Sequence, residues 1–210
     1  MQEIGLIRLD LIFETISGII ALMVTYYATK AYRLTGQKKL SDLSTGFLVL
    51  SAGMFGRVIG TWYFFVQVGE VGSHLIIAIV TIAYGVSRIL AYILFFISIR
   101  PSRTHTPDDQ EIQNGTGISL LLMATFLVDP SLEIIAIMVL IVVVLQSILN
   151  YLSTGSKFAR YVLVGFILLL LSHIWMAQVA TAPGLYLLSQ GAQLLGFLSL
   201  LVMLIKAGRD

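Results

Sequence analysis

Apolar residues run along this chain in long blocks, and the polar positions fall in short clusters between them rather than in a strand-like alternation. A hydrocarbon core of ~30 Å takes about 20 helical residues to cross. Seven blocks reach or approach that length: 10–31, 44–67, 73–99, 116–129, 131–151, 160–180 and 185–206. Each is expected to be helical, because backbone groups inside lipid have no water to bond. The fourth is the shortest. Ile118 to Val128 alone falls short of a span, so this helix has to draw in Asn114 to Gly117 or lie in thinned bilayer. The first block lacks a basic start and a small-residue cleavage site and carries Asp10 and Glu14, so it reads as a retained helix and not as a signal peptide.

Seven crossings sort the basic residues sharply. Lys30, Arg33, Lys38, Lys39, Arg100, Arg103, Lys157, Arg160, Lys206 and Arg209 fall on one side, and only Arg8 on the other. Basic loops stay in the cytoplasm, which places the amino terminus outside and the carboxyl terminus inside. Inverting everything after residue 115 would move Lys157, Arg160, Lys206 and Arg209 outside, so the bias also supports the fourth crossing. The expectation is an all-α, multi-pass protein of the cell membrane.

Composition agrees. The 210 residues are 58% hydrophobic and 11% charged, whereas a soluble domain carries about a quarter of its residues as charged ones. The lipid bilayer is therefore the first partner. A net charge of +2, scattered along the chain, offers nothing to nucleic acid. With no cysteine there is no disulfide framework, thiolate metal site or cysteine nucleophile.

The chain also repeats itself. A shift of 119 positions brings Asp10 onto Asp129, Glu14 onto Glu133, Ile16 onto Ile135 and Val24 onto Val143. It then aligns Tyr32 with Tyr151, Thr35 with Thr154, Gly36 with Gly155, Lys38 with Lys157, Gly46 with Gly165 and Phe47 with Phe166. Apolar composition alone would match Leu, Ile and Val, but not two carboxylates and two glycines in order. A shift of 106 aligns the third helices, Gly85 with Gly191, Ser87 with Gln193 and Arg100 with Lys206. The expected plan is repeat one at 10–99, a linker helix at 116–129 and repeat two at 129–206. An odd linker is what gives both units the same sense across the bilayer, a known transporter plan.

This three-plus-one-plus-three layout resembles that of the SWEET sugar transporters and, more distantly, the seven-helix opsins. The resemblance lies in topology and implies transport or receptor-like function. The Pro-Gln pair typical of SWEET and PQ-loop proteins is missing, since Pro101, Pro107, Pro130 and Pro183 are followed by other residues. The lysine of the seventh block is Lys206, at its inner end, which does not suit an opsin-like retinal Schiff base. The stretch Ala31-Tyr32-Arg33-Leu34-Thr35-Gly36 resembles the first inner loop of small archaeal membrane proteins.

Ionisable groups within a bilayer are costly, and so are functional candidates. Asp10 and Glu14, like Asp129 and Glu133, are four residues apart and share a helix face. They could gather a cation, take up protons or hold a solute. Alternatively, Asp10 and Asp129 cap their helices and complement the helix dipole, or the carboxylates pair with arginines. Arg57 and Arg88 are expected near the midplane, where an arginine that keeps its proton needs a partner. Glu14 and Glu133, an anionic ligand, carbonyls or water in a cavity could supply it. Neither has a counterpart in the other unit, where Met176 and Leu194 stand. His173, Trp175, Gln178, Gln190 and Gln193 form a second polar group suited to interhelical hydrogen bonds. His74 is the sole candidate to join His173 on a haem, and no cofactor is expected. Tyr26, Tyr27, Trp62, Tyr63, Phe64 and Tyr186 suit an aromatic belt, and Gly53, Gly56 and Gly60 a close helix contact.

No nucleotide-binding loop, zinc motif or catalytic serine pattern is present, so the protein is not expected to be an enzyme. The leading expectation is a ligand-binding or small-solute and ion transport protein. Its site lies between the repeats and is lined by Glu14, Arg57, Arg88, Glu133, His173, Gln190 and Gln193. The alternatives are a receptor-like sensor that signals to a cytoplasmic partner, and an accessory subunit of a larger membrane complex.

Overall fold

The computed structural model describes residues 2–67, 73–100, 131–179, 181–182 and 184–207, with side chains omitted for 2–8, 64–67, 73–77 and 131. Six helices account for nearly all of them: α1 Gln2–Thr35, α2 Lys38–Gln67, α3 Ser73–Ile99, α4 Ser131–Thr154, α5 Lys157–Ala177 and α6 Leu185–Ala207. All six contain stretches long and apolar enough to cross a membrane. The expected fourth block, 116–129, and Asp129 lie outside the described residues.

Helices α1, α2 and α4 run further than their apolar blocks because polar residues continue them beyond the hydrocarbon length, whereas α3 matches its block and α5 ends at Ala177, short of residue 180. α1 and α4 end alike. Gly36 and Gly155 take left-handed conformations, φ 68° and 59°, which a side chain would strain. Each donates its amide to the tyrosine carbonyl four residues back, Tyr32 and Tyr151, at 2.8 Å. Ser156 then caps α5 by accepting from the Ala159 amide at 3.0 Å.

Each helix packs on its chain neighbours, and α6 returns to α1, so the six close into a ring. Interhelical hydrogen bonds fix the directions. Ser98 of α3 donates to Lys39 O of α2 (2.8 Å), and Asn150 at the end of α4 donates to Ile99 O at the end of α3 (2.6 Å). Helices α3 and α4 therefore run in the same direction. The start of α6 meets Asp10 of α1, so this pair is parallel too. The two contacts, α3 with α4 and α1 with α6, are thus alike.

Buried positions repeat at the same shift as the sequence. Ser17, Ala21, Val24 and Ala28 are buried in α1, and Ala136, Leu140, Val143 and Ser147 in α4. The matching outward faces carry Ile19, Leu22, Met23 and Tyr26 in α1, and Met138, Ile141, Val142 and Leu145 in α4. In α2 and α5, Gly46 with Phe47 and Gly165 with Phe166 face inward. A Cβ on Gly46 would lie 2.6 Å from the Phe95 ring and one on Gly165 2.8 Å from Leu200, so both glycines mark close helix approaches. Gly53 and Gly60 likewise face Ser87 and Val80 of α3, whereas Gly56, expected on the same contact, meets nothing.

The bundle is apolar outside and partly polar inside. Along α4, Ile134, Met138, Ile141, Leu145, Leu149 and Leu152 are all exposed, at spacings of three and four residues. Glu14, His173, Gln190 and Gln193 are buried instead. Such a surface matches lipid rather than water.

Candidate functional site

Two regions divide the interior. Toward the end that bears Gly36 and Gly155, the ring is filled by Phe47, Phe95, Phe166 and Phe197, one from each of α2, α3, α5 and α6, all with no exposed surface. Phe47 stands 4.5 Å from Phe95 and 5.8 Å from Phe197, and Phe95 5.7 Å from Phe166, between ring centres. The close approaches at Gly46 and Gly165 make room for these rings.

Toward the other end, the ionisable residues converge. Arg57 on α2 donates Nη1 to Glu14 Oε1 and Nη2 to Asp10 Oδ2 of α1, each at 2.9 Å. Asp10 Oδ1 accepts from the Tyr186 hydroxyl and, at 3.4 Å, from Gln190 Nε2 of α6. This joins α1 to α6. On the opposite seam, Arg88 of α3 donates Nη2 to Glu133 Oε2 of α4. Glu133 Oε1 bonds His173 Nδ1 of α5, and His173 Nε2 lies 2.6 Å from the Tyr92 hydroxyl of α3. A neutral imidazole satisfies both contacts, donating from Nδ1 to the carboxylate and accepting at Nε2 from the phenol.

Tyr84 bridges the two clusters. Its ring centre lies 5.2 Å from the Arg57 guanidinium carbon and 4.9 Å from that of Arg88. Arginines that repel one another are thus separated by an aromatic face that attracts both. Between the clusters is a cavity of about 10 Å³, lined by Arg57, Tyr84, Arg88, Glu133, Gln190 and Gln193 among others. That volume admits about one water molecule.

Eight candidates from the sequence therefore meet in one assembly: Asp10, Glu14, Arg57, Arg88, Glu133, His173, Gln190 and Gln193. Two expectations change. Asp10 does not cap α1, because the helix begins at Gln2 and Asp10 is two turns inside it; its carboxylate is committed to Arg57 and α6. Tyr186 is no belt residue, since its hydroxyl bonds Asp10. Trp62 and Tyr63 are exposed as a belt requires, and Gln178 is exposed at the end of α5, away from the network. Tyr84 and Tyr92, and Ser172 and Ser189, which line the cavity with Ser189 Oγ donating to Ser172 O at 2.8 Å, were not anticipated. Alignment of the third helices would have flagged Tyr84, because the same shift of 106 sets it on Gln190.

No family model matches the chain, and neither a curated protein nor a solved structure is similar to it.

Proposed function

We propose that this chain is a seven-span protein of two parallel three-helix units, residues 10–99 and 129–206, with a site between them for a small polar solute or ion. The repeated burial pattern, the matched Gly36 and Gly155 turns and the two parallel seams support that plan. With α3 and α4 parallel, the connection 101–130 starts and finishes at opposite ends of the bundle, as a spanning linker at 116–129 would require. The excess of basic residues at the Gly36 end places that end in the cytoplasm and the polar site in the outer half.

The observation that carries the functional reading is the network that crosses both seams. Two arginines, three carboxylates and a histidine are far more than six helices need to pack. Their insertion is costly, and among the described residues only the outer half of the interior carries them. A cavity sized for one water suits a closed state and a small occupant such as an ion or compact solute, rather than a resident organic ligand.

The phenylalanine cluster favours a second reading, a sensor that binds on the outer side without passing its ligand inward. A carrier has to open that cluster; a sensor does not. Stopped-flow measurement on proteoliposomes, with inorganic ions, amino acids and sugars as probes, separates the two. Flux of one probe above that of empty liposomes, lost in Arg57→Gln and Arg88→Gln, supports a carrier. Thermal stabilisation by a probe without flux supports a sensor. Neither flux nor stabilisation by any probe would remove both.

A further inference from the structure

Glu14 stands apart from the other two carboxylates. Asp10 uses both oxygens, Oδ2 with Arg57 and Oδ1 with Tyr186 and Gln190. Glu133 also uses both, Oε2 with Arg88 and Oε1 with His173. Glu14 uses only Oε1, with Arg57. Its Oε2 is buried without a hydrogen-bond partner among the described residues, and the residue is 2% exposed. One turn along the same face, Ser17 Oγ is also buried and unpartnered. A buried anionic oxygen without a donor is among the least favourable arrangements a folded chain can hold.

Charge gives an independent reason. Asp10, Glu14 and Glu133 carry three negative charges against two on Arg57 and Arg88, so the assembly is one positive charge short while His173 is neutral. His173 is not the natural place for it, because both ring nitrogens are already satisfied in the neutral form. The groups that face Glu14 are Asp10 on its own helix, Arg57 on α2 and the Tyr84 hydroxyl of α3, which lies against the carboxyl, with Tyr186 of α6 beyond Asp10. None of these described groups comes within hydrogen-bond distance of Oε2.

We propose that Glu14 is a proton-binding site, taking one proton on Oε2 from the outer side, and that this proton is the ion the site between the units recognises. The step is a simple transfer. Hydronium gives up a proton, an O–H bond forms at Oε2, and water is left. The carboxyl becomes a donor where none existed, and the assembly becomes neutral. The hydrogen bond from Arg57 to Oε1 is retained in weaker, uncharged form, while Asp10 keeps its full pair with Arg57. Loading and unloading Glu14 thus changes how firmly α1 is held to α2 without releasing the arginine. This inference names the occupant of the site proposed above and rests on that reading for its role in transport or sensing, but not for the binding itself.

The test uses the full chain in lipid nanodiscs, in sodium-free choline buffer. Infrared spectra taken as the pH is stepped should show a protonated-carboxyl band that disappears on the alkaline side. The band should be absent in Glu14→Gln and present in Asp42→Asn, whose carboxylate on α2 lies outside the assembly. Deprotonation leaves Oε2 unpartnered, so wild-type thermal stability should fall as pH rises through the loss of the band. Glu14→Gln supplies a permanent donor, so its melting temperature should stay flat over that range and exceed wild type on the alkaline side. If Glu14→Gln does not fold, Glu14→Asp should keep a band but move its pH of disappearance. A band that survives Glu14→Gln, a band unmoved by Glu14→Asp, or no band at any pH would overturn the proposal. So would a melting temperature that follows sodium at fixed pH and ignores the proton, which assigns the site to an alkali cation. Because no flux is measured, a carboxyl that behaves as expected in a protein that moves nothing would remove the carrier and leave the proton site standing.

Discussion

Replacing Glu133 by alanine should be among the most damaging single changes in the bundle. It strips Arg88, only 11% exposed at its side chain, of its one carboxylate, and it leaves His173 Nδ1 without an acceptor. Breaking a buried ion pair costs about 3–5 kcal/mol. The Glu133 side chain is 21% exposed, so partial screening favours the lower end, about 3 kcal/mol. The lost hydrogen bond to His173 adds about 1 kcal/mol. At roughly 2–4 °C per kcal/mol for a chain of this size, the melting temperature should drop by about 8–16 °C. Arg88→Met should cost less, about 2 kcal/mol, because Glu133 keeps His173 and some solvent. The double variant should lose far less than the two together, since an apolar replacement removes the stranded charge. A double-mutant cycle read by intrinsic fluorescence in detergent should return a coupling of about 2–3 kcal/mol. Losses that add to within about 0.5 kcal/mol would show that Arg88 and Glu133 do not act as a pair.

Tyr92→Phe should lower stability by about 1–2 kcal/mol, measured in the same assay, because it leaves His173 Nε2 buried without its donor; no loss would detach Tyr92 from the network. Phe47→Ala should cost about 3–5 kcal/mol and, if the rings seal the inner half, should raise background ion leakage in liposomes. Gly46→Ala should destabilise, with its Cβ driven to 2.6 Å from Phe95, whereas Gly56→Ala, in open space, should be neutral or slightly stabilising. Equal losses would mean that α2 does not approach α3 as described. Gly36→Ala and Gly155→Ala should each cost about 1 kcal/mol, and unequal losses in melting temperature would separate two turns that otherwise match.

The apolar blocks made the six described helices legible, because a bilayer imposes length and composition on every span, and the shift of 119 pairs residues with like surroundings, the Gly36 and Gly155 turns and the inward-facing Phe47 and Phe166. The charged part of the site was legible for a related reason: Arg57, Arg88, Glu14 and Glu133 have no inexpensive place to go except toward one another. Their partners were harder to assign. Nothing local told that Asp10 lies inside a helix, because residues 2–9 extend it beyond the hydrocarbon length. The tyrosines were opaque as well, since a phenol suits a membrane interface and a buried carboxylate equally. Only the meeting of α6 with α1 decides for Tyr186, and that of α3 with α5 for Tyr92. The phenylalanine cluster was hidden among apolar residues, where pattern carries no distinction between facing lipid and facing the centre.

The parallel sense of the two units is the claim on which the placement of the site depends. Because the chain contains no cysteine, single cysteines can report it directly. Lys38→Cys and Lys157→Cys occupy equivalent exposed positions after the matched turns, and Thr181→Cys lies at the opposite end of the bundle. Labelling intact cells with a membrane-impermeant maleimide should modify Thr181→Cys and leave both lysine replacements untouched until the membrane is opened. Modification of Lys157→Cys from outside, with Lys38→Cys protected, would mean that the second unit is inverted, and the parallel arrangement would be wrong.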